Sequence, residues 1–130
     1  MAKKNIATFL APSKGLVITG SHCYAYSGNV PVDNNFGELL NFHSGKEYLK
    51  VKITYYYADT DQGDNTIFVL ALNGNDIHQM EMANALADHT PPVLYLIIPP
   101  LTEVIITGKN ASDTDIRQLG AVLTGRVYDA

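Results

Sequence analysis

The sequence predicts an all-β fold, an antiparallel β-sandwich of about eight or nine strands wound as a jelly roll. Three observations carry this. Residues 46–58 alternate their side chains with a period of two, short runs rich in β-branched and aromatic residues recur along the chain, and glycine, proline and Asn-Gly signals separate those runs at short intervals. Many short strands divided by regular turns suit a double-sheet sandwich. With 130 residues the chain fits one domain, on the prior of roughly 100 to 200 residues per domain. We read 1–130 as a single sandwich, with residues 1–12 as an extended N-terminal arm.

Taken in order, short strands are expected at 5–10, 15–19, 22–27 and 37–43. Pro12, Gly20, the loop from Gly28 to Asn35 and the Ser44-Gly45 turn divide them. Residues 46–58 (KEYLKVKITYYYA) set Leu49, Val51, Ile53, Tyr55 and Tyr57 against Tyr48, Lys50, Lys52, Thr54 and Tyr56, the pattern of a long strand with one buried face. Residues 66–72 are apolar on both faces and end in Asn73-Gly74, which supplies the positive φ angles of a tight hairpin. The return strand passes through Ile77 and His78. Helix competes over Asp76 to Asp88, where Ile77, Met80 and Leu86 roughly share a face.

Residues 92–98 (PVLYLII) form another apolar run, closed by Pro99-Pro100, which have no N–H to continue a ladder. A strand at 102–108 follows. The last run, Ile116 to Tyr128, alternates again, with Gly120 and Gly125 marking bends or close backbone approach. The expected core is Leu49, Val51, Ile53, Phe68, Leu70, Leu94, Leu96, Val104, Ile106, Leu119, Ala121 and Leu123.

Composition narrows the function. Hydrophobic residues make up 46% and charged residues 17%, which excludes disorder, and no apolar run approaches the roughly 18 residues of a membrane span. Nine basic against thirteen acidic residues give a net charge of -4, so neither nucleic acid nor membrane is expected as a partner. The stretch before Pro12 is too weak for a signal-peptide core. Cys23 is the only cysteine, which rules out an intramolecular disulfide and a CxxC pair.

Catalytic and metal chemistry find little footing. Asp59, Asp61 and Asp64 alternate in one loop, as calcium ligands do, but an EF-hand needs glycine sixth and a carboxylate twelfth, where this loop has glycine fifth and Leu70 twelfth. That loop reads as a solvated turn, and those aspartates are a weak metal candidate. His22, His43, His78 and His89 are not spaced as ligand pairs. Ser21, Ser27, Ser44 and Ser112 stand in no nucleophile elbow, and Cys23 sits in an apolar strand where an inert thiol is expected. Glu38, Glu47, Glu81 and Glu103 are scattered. No enzyme and no cofactor is expected. Asn110-Ala111-Ser112 matches a glycosylation sequon and reads as a turn between strands.

Tyrosine is the enriched type, with eight copies and no tryptophan. Tyr48 and Tyr56 share the outer face of their strand, and exposed tyrosine gives contact area at low entropic loss. Apolar or tyrosine side chains on both faces of 46–58 and 66–72 exceed what one sandwich buries, which points to a partner.

The run Ile97-Ile98-Pro99-Pro100-Leu101-Thr102-Glu103-Val104, the strand after it, and the ending Leu123-Thr124-Gly125-Arg126-Val127-Tyr128 resemble small structural proteins of tailed bacteriophages. In those proteins a β-sandwich or jelly roll caps or cements the capsid. The likeness covers roughly 46–128. It implies a cement or decoration protein on the outer surface of a phage head, made in the host cytoplasm, with the major capsid protein and copies of itself as partners, most simply as a homotrimer. Lys3 and Lys4 on the arm join Tyr48 and Tyr56 as interface candidates. The alternative is a receptor- or carbohydrate-binding sandwich of a phage fibre or tail, and a small enzyme comes third.

Overall fold

The computed structural model describes residues 15–59, 65–83 and 93–128. They form ten β-strands and, among the described residues, no helix: β1 (Val17–Thr19), β2 (His22–Tyr26), β3 (Val30–Val32), β4 (Gly37–His43), β5 (Tyr48–Asp59), β6 (Asn65–Leu72), β7 (Asn75–Ala83), β8 (Val93–Ile98), β9 (Glu103–Asn110) and β10 (Arg117–Tyr128). The segment from Asp76 that competed as a helix is strand as far as Ala83. Its alternation against β6 outweighs its helix-favouring Met and Glu content, as tertiary pairing commonly does. The expected strand at 5–10 lies outside the described residues.

The strands form two antiparallel sheets. One is six-stranded, in the order β1-β2-β10-β5-β8 with β3 also on β10; the other is β4-β9-β6-β7. The pairing is nested: β6 with β7, β5 with β8, β4 with β9, and β2 and β3 with β10. The chain is therefore one long hairpin wrapped into two layers, the winding of a jelly roll. At its tip Asn73 and Gly74 have φ of 53° and 82°, the pair of left-handed residues that a type I′ turn requires.

The strand count exceeds the expected eight or nine because β3 forms inside the stretch read as a loop. Gly28, at φ 67°, and Pro31 gave that stretch its loop signature. Proline is tolerated because β3 has, among the described residues, a ladder partner on one side only, the edge position where proline is found in sheets. Ser27 bridges the break between β2 and β3. Its amide donates to the Ala121 carbonyl at 3.1 Å, and its Oγ accepts the Ala121 amide at 2.8 Å while donating to the Gly28 carbonyl at 2.7 Å.

The core fills the space between the sheets. Ten of the twelve expected core residues are buried, joined by Leu39, Leu40, Phe42, Tyr55 and Ile98. A register shift between Glu38 and Leu40 turns the adjacent Leu39 and Leu40 both inward. Leu94 and Leu96 correct the prediction, for they are only partly buried. They face inward, but among the described residues β8 has a paired neighbour on one side alone, which leaves its other side uncovered.

The turn from β8 to β9 is clamped by Ser44. Its Oγ donates to the Pro99 carbonyl at 2.7 Å and accepts the Thr102 amide at 3.0 Å, while the Ser44 amide donates to the Thr102 carbonyl at 2.9 Å.

Tyr55 ties the two layers together. It stacks on Phe68 at 5.0 Å and on His78 at 5.9 Å, and its hydroxyl hydrogen-bonds to Nδ1 of His78 at 3.2 Å. Burial pushes the hydroxyl up from 10 to about 12. A folded-state pKa raised above the unfolded one keeps its full contribution below pH 10 and loses it as pH climbs through about 12. We expect about 2 to 3 kcal/mol of stability to disappear across that window in the native chain but not in Tyr55→Phe, read by urea unfolding from pH 9 to 12. Parallel losses in both proteins count against this assignment.

Candidate functional site

The expected site residues are only partly within the described residues. Asp59 ends β5 opposite Gln118, while Asp61, Asp64, Lys3, Lys4 and His89 lie outside the described residues. Among the described residues no three His, Cys, Asp or Glu side chains converge as a metal site. His22 and His43 are exposed on different sheets, and His78 is engaged with Tyr55. Cys23 is buried, and desolvation raises its pKa. Its thiol is expected to resist alkylation in the native protein and to react only after denaturation; rapid native labelling counted by mass spectrometry contradicts this.

Asn110 of the sequon is buried at the start of the loop that leads from β9 to β10. Its amide nitrogen donates to Asp113 Oδ1 at 2.7 Å and to the Asp115 carbonyl at 2.9 Å, and its Oδ1 accepts the Ser112 amide at 2.9 Å. That side chain is an organiser of the loop, as the turn reading required. The Asp115 amide and the Asn110 side chain, followed by the charge of Arg117, hold the Asp113 carboxyl below its usual range.

What the fold does assemble is a face. On the outer side of the six-stranded sheet, register places Tyr48 beside Tyr128, Lys50 between Arg126 and Ile97, Lys52 between Thr124 and Tyr95, and Thr54 between Val122 and Val93. Beyond β10, Tyr24 and Tyr26 stack at 5.0 Å between ring centres. Tyr95 is 74% exposed, Ile97 59% and Tyr128 48%. Tyr48, Lys50, Ile97 and Tyr128 line a groove of about 450 Å³. Across the register from Tyr48 to Thr54 with β8 and β10, this face carries three cations, Lys50, Lys52 and Arg126, and no carboxylate; the next acidic position is Asp59, opposite Gln118 at the far end of β5.

Of the two tyrosines expected here, Tyr48 is exposed but Tyr56 is only partly so. The ring of Tyr56 lies over Gly120, where a Cβ would collide with it, so part of its area goes to stabilising β10. Tyr95 and Ile97 escaped the sequence reading because PVLYLII looks buried on both faces. The signal was available in register: once β8 pairs with β5, Tyr95 must share the face of Lys52.

The outer face of the four-stranded sheet has the opposite character. Glu38, Asp76, Glu81 and Glu103 stand on it beside Thr107, Ala71, Ile67 and His43, with Lys109 as its described lysine. At its loop end Asn34, Ile67, Glu81, Lys109, Ser112 and Asp113 line a polar pocket of about 520 Å³.

No protein-family model matches the chain, and no curated protein sequence matches it. Among solved structures, one similar chain comes from Bacillus endospore appendages, described as disulfide-linked pili. It is 12% identical, with 85% of this chain and 90% of that chain covered and a TM-score of 0.49. A pentameric capsid protein from metagenomic phage sequences is 13% identical over 91% of this chain and 68% of its own, at a TM-score of 0.32. A chain of infectious bursal disease virus, strain Gx, is 15% identical over 85% of this chain and 32% of its own, at a TM-score of 0.36.

Proposed function

We propose that this protein is a virion structural protein, a cement or decoration protein that binds the outer surface of a phage head and assembles with copies of itself, as a trimer. The observation that carries the reading is the outer face of the six-stranded sheet, where Tyr95, Ile97, Val93, Tyr48 and Tyr128 are exposed together. Contiguous exposed tyrosine and aliphatic surface is the composition of protein interfaces. The resemblance of 97–104 and 123–128 to phage structural proteins supplies the shell as partner. Residues 1–12, with Lys3 and Lys4, are the arm that reaches it.

The test is to track the chain through density-gradient fractions of the virus that encodes it. A constant copy number per particle in the virion band, lost on deletion of residues 2–10, is the expected result. Absence from particles overturns the reading. A second reading, a carbohydrate-binding module, draws on the polar pocket around Glu81, Lys109 and Asp113. A glycan array on which Glu81→Ala abolishes binding would promote it.

A further inference from the structure

We propose, building on the reading that the chain assembles with copies of itself, that one copy packs the outer face of its six-stranded sheet against the outer face of the next copy's four-stranded sheet. The first face offers Lys50, Lys52 and Arg126, with no carboxylate among the residues paired to them; the second offers Glu38, Asp76, Glu81 and Glu103 against one described lysine. A chain of net charge -4 has no general reason to segregate its charge in this way. Opposed patches of complementary sign steer association and fix register, whereas like charges repel.

Apolar contacts agree with the charges. Tyr95 and Ile97 project from the basic face, and the acidic one carries two partly exposed isoleucines, Ile67 beside Glu81 and Ile105 two residues along β9 from Glu103, with the Val69–Thr107 pair between them. A two-fold pairing of basic face on basic face would instead oppose Lys50, Lys52 and Arg126 with their own copies. The contact is therefore between unlike faces, the kind that builds rings or stacks rather than isolated pairs.

The experiment uses the full chain, its Lys50→Glu/Lys52→Glu variant, its Glu81→Lys/Glu103→Lys variant, and an equimolar mixture of the two, each verified as folded by circular dichroism. Mass is read by light scattering across a concentration series at low and high salt. The native chain is expected to associate, roughly tenfold more weakly at high salt. Each variant alone is expected to remain a single chain, because both of its faces then carry the same net sign, and the mixture is expected to regain association. Native association that survives either charge reversal, or a mixture that stays monomeric, overturns the unlike-face contact while leaving self-assembly standing. A native chain that is monomeric throughout removes self-assembly as well and leaves the basic face to a different partner.

Discussion

Replacing Phe68 with alanine is expected to remove about 3 to 5 kcal/mol of folding stability. The ring is fully buried, stacks on Tyr55 from the opposite sheet at 5.0 Å with planes 16° apart, and lies against Gly108, whose missing side chain leaves the space the ring occupies. Truncation empties a site between two sheets whose strands are held in place by their ladders, so it collapses poorly. Against a total stability of about 5 to 15 kcal/mol for a domain this is a large share. Urea unfolding at neutral pH measures it. A loss below about 1 kcal/mol would show that the layers are joined elsewhere.

Gly125→Ala is the sharper case, because two effects predict opposite signs. Strand propensity alone favours alanine by roughly 0.5 to 1 kcal/mol. Packing opposes it: a Cβ at this position runs into the carbonyl oxygen of Lys50 and comes within 2.8 Å of the Val51 Cα on the paired strand. Both obstacles are backbone, so relief requires β10 to move away from β5. Overpacking typically costs about 1 to 3 kcal/mol, and a rigid obstacle belongs at or above the top of that range. The expected outcome is a net loss of about 2 kcal/mol or more in thermal or urea unfolding, and a neutral or stabilised variant refutes the packing argument.

The same glycine shows what the sequence made legible. Its place in an alternating strand marked close backbone approach, and pairing with β5 supplies the backbone it approaches. Strands were readable wherever alternation or turn chemistry was local: Gly37–His43, the run before Asn73-Gly74, and the end at Pro99. Properties that depend on neighbours distant in sequence were not. Val30–Val32 is a strand because β10 accepts it, and Leu94 and Leu96 stay partly exposed because β8 is paired on one side alone among the described residues. The interaction face was half legible. Tyr48 followed from one strand's alternation, but the cation row of Lys50, Lys52 and Arg126 beside Tyr95 exists only after three strands are laid side by side.

The nested winding also sets when this protein can fold. β10 lies inside the larger sheet, bonded to β2 and β3 on one side and to β5 on the other, so the earlier strands of that sheet have no central neighbour until the last one arrives. A chain extending only to residue 110 holds all four strands of the smaller sheet but cannot yet complete the larger one. The β6–β7 hairpin and the pairings of β4 with β9, β6 with β9 and β5 with β8 do not depend on β10. Pairings between the two ends of a chain also close slowly, since the whole intervening loop must be ordered first. The apolar edges of β5 and β2 are thus open until β10 docks between them, and closure of the larger sheet waits on that one strand.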